Sequence, residues 1–201
     1  MRAVSQEKRA IAAVKRLGVA RPRDLARLGL RREYARRLAA RGELVRVARG
    51  LYAIPDAEVS SHRTLAEVAK AVPGGTLCLL TALRYHGLTT QSPPEVWIAL
   101  DVHGWKPRNT PFPVRTVYFS GAALTEGVQT HKIDGVPVRI YSAAKTVADC
   151  FKYRNKIGVE VAVEALRDFL KQHRRGSDEL WRFAKVCRVS NVMRPYLEAI
   201  G

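Results

Sequence analysis

Long apolar runs are missing from this 201-residue chain, and none approaches the ~20 residues that a membrane helix needs. Near the start only residues 11–14 are apolar without interruption. That is too short for a signal-peptide core and argues against secretion. Cysteine is scarce: Cys78, Cys150 and Cys187 are odd in number and far apart. They suit buried thiols in a reducing cytoplasm better than a disulfide or zinc framework. The five histidines (His62, His86, His103, His131, His173) show no metal-ligand spacing, and neither HExxH, CxxC nor a Walker loop occurs. A restriction-type nuclease needs a carboxylate and a lysine two apart on a strand, and the chain contains no Asp-x-Lys or Glu-x-Lys. A nucleotidyltransferase needs paired carboxylates on a strand, yet the only acid-x-acid triplet, Asp56-Ala57-Glu58, falls in a polar linker stretch. Ser142-Ala143-Ala144-Lys145 repeats the Ser-x-x-Lys spacing of acyl-transfer enzymes without their Ser-Asp-Asn and Lys-Thr-Gly companions. No catalytic residue, metal ligand or cofactor is therefore assigned. A nucleic-acid-processing enzyme with a basic reader domain stays as the weaker alternative.

Negative charge is the other shortage. Asp and Glu number 18 against 35 Lys and Arg, for a net charge of +17 and a pI near 10.4. A field of that sign implies a polyanionic partner, nucleic acid or an anionic membrane surface. The apolar fraction of 47% and charged fraction of 26% are those of a folded chain, not a disordered one. The excess is concentrated: residues 1–55 hold 15 basic and 4 acidic residues, and all the basic ones but Lys8 and Lys15 are arginine. A guanidinium fork matches phosphates and guanine edges better than an ammonium does.

Within this segment Val4, Ala10, Ile11, Val14 and Leu17 recur at helical spacing, and Gly18 stops the helix. A short second helix is expected from Pro22, with Asp24 favouring its N-terminus and Leu25 and Leu28 facing inward. After Gly29 a third helix runs from about 31 to 41. At 100° per residue, Tyr34, Ala35 and Leu38 form its core face, and Arg32, Arg36 and Arg37 point outward around Glu33 and Ala40. Such a face can enter a major groove closely; the alternative is a solvated arginine-rich surface. Residues 43–47 and 51–54 read as strands joined by a turn at Ala48-Arg49-Gly50. Three helices and an arginine-tipped hairpin make a winged helix-turn-helix over 1–56, with Arg21, Arg23, Arg31, Arg32, Arg36, Arg37, Arg41, Arg46 and Arg49 as candidate contacts to double-stranded DNA.

The polar stretch Pro55-Asp56-Ala57-Glu58, followed by Ser60-Ser61, marks a boundary, so residues 57–201 are expected to form a larger mixed α+β domain with a helical C-terminal tail. Helices are expected at 64–72 and from a Thr81 cap to about 86. Strands are expected at 96–102, 114–119, 128–133 and 136–141, the last pair joined by Asp134-Gly135, the strongest short hairpin signal in the chain. From Ser142 onward the pattern is helical. Ser142 is a natural N-cap, with Ala144, Val147, Ala148 and Phe151 inward and Lys145 and Asp149 paired on the polar side. One reading of this helix is a capped element with a surface salt bridge. The other is a recognition surface made of Lys145, Thr146, Asp149, Lys152, Arg154 and Lys156. A membrane partner is disfavoured, because the third helix lacks a broad apolar face beside its basic one. An RNA-stacking platform is disfavoured too: Tyr118 and Phe119 are adjacent and point to opposite faces.

Three stretches together resemble the AbiEi family of antitoxins from bacterial type IV toxin–antitoxin and abortive-infection systems. They are 42–52 (Gly-Glu-Leu-Val-Arg-Val-Ala-Arg-Gly-Leu-Tyr), 79–88 (Leu-Leu-Thr-Ala-Leu-Arg-Tyr-His-Gly-Leu) and 142–155 (Ser-Ala-Ala-Lys-Thr-Val-Ala-Asp-Cys-Phe-Lys-Tyr-Arg-Asn), in the family's order. The resemblance implies a winged helix that represses its own operon and a C-terminal domain that neutralises a nucleotidyltransferase-like toxin. A stand-alone winged-helix regulator is the alternative. One departure is that Leu30-Arg31-Arg32 stands where the family's third helix opens on a Ser or Thr cap.

Overall fold

Ser5 opens the first helix by accepting a hydrogen bond from the Lys8 amide at 3.3 Å, and α1 (Gln6–Leu17) turns Ala10, Ala13 and Val14 into the core. The computed structural model describes residues 5–55 and 62–200. Val4, the linker and the expected boundary between 56 and 57 lie outside the described residues.

A two-residue strand, β1 (Val19–Ala20), follows α1; two residues are too few to show alternation, so the sequence pattern does not separate it from a loop. Then come α2 (Pro22–Arg27), α3 (Glu33–Ala40), β2 (Val45–Ala48) and β3 (Leu51–Ala53). Both edge strands pair antiparallel with β3, so the expected hairpin is the outer part of a three-stranded sheet in the order β1-β3-β2. Leu25, Leu30, Leu38 and Leu44 fill the space beneath, as helical spacing on α2 and α3 requires. Leu28, expected to face inward, is 37% exposed: the chain turns at Gly29 and buries Leu30 instead.

The chain divides into two compact units. The first comprises Met1–Pro73, Pro107–Phe112 and His131–Val138, and the second Gly74–Lys106, Pro113–Thr130 and Arg139–Gly201. Hence α4 (Arg63–Ala71) belongs with the N-terminal helices. Its Lys70 ammonium lies 2.9 Å from the Asp24 carboxylate, which also accepts the Arg21 amide at 2.9 Å. Burial alone would raise the Asp24 carboxyl, but the Arg21 N–H and the Lys70 charge outweigh it and hold the group below the usual carboxylate range.

The second unit carries β4 (Thr76–Leu77), α5 (Leu79–Tyr85), β5 (Val96–Asp101), β6 (Val114–Phe119), α6 (Ala122–Thr125), β7 (Val128–Ile133), β8 (Val136–Tyr141), α7 (Ala143–Lys152), α8 (Arg154–Ile157), α9 (Val159–Gln172), α10 (Ser177–Val186) and α11 (Ser190–Ile200); the hairpin tip within β7–β8 counts with the first unit. The sheet order is β6-β5-β4-β8-β7, mixed in direction: β4–β5 is antiparallel, whereas β4–β8 and β5–β6 are parallel. β5 is buried from Val96 through Leu100, as an unbroken apolar run in a central strand implies. Helices α5, α9 and α10 all pack on α7. The mixed α+β class is as expected. Thr81 does not cap α5: it lies inside the helix, and its Oγ1 accepts the Trp97 amide at 2.8 Å.

Asp134 and Gly135 both take positive φ (45° and 77°), the backbone of a tight two-residue hairpin turn. A Cβ on Gly135 would lie 2.7 Å from the Arg16 carbonyl oxygen, and one on Gly18 would overlap the Asp134 carbonyl, so the turn packs backbone-to-backbone against the end of α1. Gly135→Ala meets both an unfavourable φ and this contact. It should cost more than about 1 kcal/mol by urea denaturation. Asp24→Asn tests the second support of this unit. A depressed carboxyl contributes fully above the unfolded value of ~3.9 and loses that contribution as pH falls through the lower folded value. The variant should be less stable than the parent at pH 7, and the two should converge in acid.

Candidate nucleic-acid interface

Pro22 occupies the first turn of α2, where its missing N–H costs nothing. Arg21 therefore stands at the helix entrance, with Arg23 one residue into the helix. In α3 the burial of Ala35 and Leu38 turns Arg32 and Arg36 to solvent, with small Ala40 exposed between longer side chains. Arg32 is the N-cap residue in helical conformation without a side-chain cap bond, the structural counterpart of the missing Ser or Thr. The β2–β3 turn projects Arg49, and a register shift between Arg46 and Ala48 bends the ladder just before it.

These elements bound two adjoining hollows of about 580 and 660 Å³, which share Pro22, Arg32, Arg49 and Gly50 and so form one trough. Of the nine arginines expected to bind, six line it: Arg21, Arg23, Arg32, Arg36, Arg46 and Arg49. Burial first, then the charge of Arg23, lowers the Arg21 guanidinium below its ordinary value, with Asp24 acting the other way. The other three are outside the lining and sit beside acids. Arg37 pairs with Glu7 and lies over the Tyr34 ring, Arg41 bridges Glu7 at 2.8 Å and Glu43 at 2.9 Å, and Arg31 pairs with Glu33 at 3.4 Å. The Arg41 hydrogen bond, more than any other contact, holds the Glu7 carboxyl below its usual value. Helical arithmetic placed Arg37 on the open face correctly, but it could not see that Glu7 comes across from α1. Arg108, in the segment joining β5 to β6, also lines the trough. Only its position in a Pro-rich basic stretch marks it in the sequence.

The Ser142 helix departs from expectation. Ser142 does cap α7, accepting the Lys145 amide at 3.3 Å. Lys145, Thr146 and Asp149, however, are fully buried and form no surface. The Lys145 ammonium contacts both Asp149 oxygens at 2.7 Å and lies 4.2 and 4.9 Å from the Tyr141 and Phe119 ring centres, and the Cys187 thiol donates to Asp149 at 3.2 Å. The spacing identifies the pair, but the assumption that a polar helix face meets water fails because neighbouring helices enclose α7. Burial pushes the Asp149 carboxyl up, and the Lys145 charge pulls it back. The same burial raises the Cys78 and Cys150 thiols and takes Cys187 to about 12, so all three cysteines are protonated, free and buried. Lys152 and Lys156 are exposed, Lys156 over the Tyr153 ring, whereas Arg154 is part-buried and donates to the Phe151 carbonyl at 2.9 Å. Among the described residues no group of three His, Cys, Asp or Glu could hold a metal, and no helix is long and apolar enough to cross a membrane.

The first unit thus presents an open trough lined by arginines. Residues 9–55, α1 through the end of the small sheet, match the family model described as "Transcriptional regulator, AbiEi antitoxin". The family resemblance is thus borne out over that segment, a family of antitoxin transcriptional regulators. No curated protein matches the chain.

Lys145→Met alone should cost about 3–5 kcal/mol, because it strands a buried acid. Lys145→Met combined with Asp149→Leu should recover much of that loss. Urea denaturation of the two variants checks both values, and a double variant no more stable than Lys145→Met would show that the stranded acid is not the source of the loss.

Proposed function

We propose that the chain is an antitoxin that also regulates transcription from the cytoplasm. Its N-terminal residues 1–56 act as a winged helix-turn-helix on double-stranded promoter DNA of its own operon, and residues 57–201 neutralise a nucleotidyltransferase-like toxin. No catalytic step and no cofactor enter this reading. The observation that carries it is the sorting of charge in the first unit: the side chains of Arg32, Arg36 and Arg49 make no ion pair or hydrogen bond within the described residues, and they line one trough. In this reading α3 lies in the major groove with Arg32 and Arg36 toward base edges, and Arg49 reaches the sugar-phosphate backbone from the wing. Arg37 and Arg41, held by Glu7, flank the groove and anchor α3 to α1.

For neutralisation, the exposed cations after α7, Lys152 and Lys156 with Arg154 behind them, are the part of the expected surface that reaches solvent. Lys145, Thr146 and Asp149 support that surface from within. A second reading, a transcriptional regulator with no toxin partner, is favoured by the extent of the family match, which covers only the segment carrying the trough.

Mobility-shift titrations of the full chain test the DNA reading. With about six phosphates neutralised, log K should fall against log[salt] with a slope near −5. Arg49→Ala should weaken binding to promoter and random duplexes alike, whereas Arg36→Ala should also erode the preference for the promoter. Equal binding of promoter and random DNA by the parent chain would refute sequence-specific regulation. Rescue of growth during co-expression with the product of the adjacent gene separates the two readings. Lys152→Ala with Lys156→Ala should reduce rescue and leave promoter binding intact, while absence of any rescue by the parent chain favours the regulator alone.

A further inference from the structure

Arg108 reaches the trough from outside the segment that matches the family. It lies 53 residues beyond that match, in the stretch Pro107–Phe112 that belongs to the first unit. There it lines the 580 Å³ hollow with Arg21, Arg23, Arg32 and Arg49, and no carboxylate is among the lining residues. Arg108 is exposed and has no hydrogen-bond or ion-pair partner among the described residues. Nothing within the unit therefore offsets bringing a fifth guanidinium to this place. Like charges gathered around one concavity repel, and a bound polyanion turns that cost into attraction.

The backbone around Arg108 is restricted. Pro107, Pro111 and Pro113 fix three φ angles within seven residues, and a following proline disfavours helical conformations at Thr110 and Phe112. Asn109 takes φ 56°, a left-handed conformation that asparagine tolerates better than most residues. The Thr110 hydroxyl donates to the Phe112 carbonyl at 2.9 Å. An arm stiffened in this way loses little freedom on binding, so its contact is retained as affinity.

We propose that Arg108 is a phosphate contact to DNA, a third arm that grips the duplex backbone beside α3 and the wing. The proposal rests on the DNA reading above and extends the interface beyond the winged segment to a part of the chain remote in sequence. A guanidinium is suited to the task because its planar fork can donate two parallel hydrogen bonds to one phosphate. The contact carries no base information, so it raises affinity for every duplex equally.

The test is fluorescence anisotropy of the full chain with a duplex of its own upstream region and a random duplex of equal length, across a salt series. Arg108→Ala should weaken binding to both duplexes by roughly three- to tenfold at 0.1 M salt and make the log–log salt slope shallower by about 1. Arg108→Lys should keep most of the slope. Because Arg108 is exposed and unpartnered, Arg108→Ala should melt with the parent, and circular dichroism checks that the loss is not unfolding. If Arg108→Ala binds like the parent while Arg36→Ala and Arg49→Ala weaken, the Arg108 contact is overturned and the DNA reading stands. A loss confined to the promoter duplex would overturn the phosphate assignment. A parent chain that binds neither duplex overturns both readings.

Discussion

The N-terminal unit depends on where its few acids sit. Each of the four carboxylates in residues 1–55 is in an ion pair: Glu7 with Arg37 and Arg41, Asp24 with Lys70, Glu33 with Arg31, and Glu43 with Arg41. Apart from Asp24–Lys70, which is largely buried, these pairs are exposed and contribute little each, typically less than about 1 kcal/mol. Their arrangement matters more than their sum. Glu7 ties two cations of α3 to α1, and Asp24 ties the start of α2 to α4, so the acids bridge helices. Glu33 lines the trough but pairs with Arg31, and Asp24 acts on Arg21, whereas the side chains of Arg32, Arg36 and Arg49 have no acid partner among the described residues.

The second unit handles charge in the opposite way, by enclosing it. Lys145 and Asp149 lie one helical turn apart with both partners fully buried. The pair is closed by contacts that an apolar substitute would forfeit: the Tyr141 and Phe119 rings face the ammonium, and the Cys187 thiol faces the carboxylate. A Cβ on Gly127 would come within 2.8 Å of the Lys145 side chain, so the backbone there is also built around the lysine stem. Desolvating two charges costs several kcal/mol each, and such a pair gains little net stability over a packed apolar one. What it does gain is directionality. The Cys187 thiol on the carboxylate and the Phe119 ring beside the ammonium come from outside α7, and these contacts, rather than the pairing within the helix, favour one rotation of α7 among its neighbours.

Much of this was legible in the residues. The expected strands at 114–119, 128–133 and 136–141 coincide with β6, β7 and β8, and the Asp134-Gly135 turn forms with both residues at positive φ. These succeed because alternation and turn chemistry are local. Ser142 as a cap and Lys145 paired with Asp149 were also legible, being encoded by spacing within one helix. What failed depends on neighbours remote in sequence. Burial of the Lys145 face is decided by α5, α9 and α10, the pairing of Arg37 by α1, and the Asp24–Lys70 contact by a residue of α4 46 positions downstream. β1 was missed because its two residues form a strand only in the presence of β3.

The same dependence sets the extent of the N-terminal unit. The family match ends at residue 55, at the close of the small sheet, but the compact unit does not. It takes Lys70 to complete Asp24, and it takes the 131–138 turn to cover the end of α1, where Gly18 and Gly135 leave no room for a side chain. A segment cut after the sheet would keep every arginine of α2, α3 and the β2–β3 hairpin. It would lose the cation that holds the start of α2 and the turn that packs on the end of α1. A recognition face needs its side chains held within a fraction of an ångström by the elements behind them. Most of the trough's arginines therefore come from the first 55 residues, while chain far from them in sequence braces the elements that carry them.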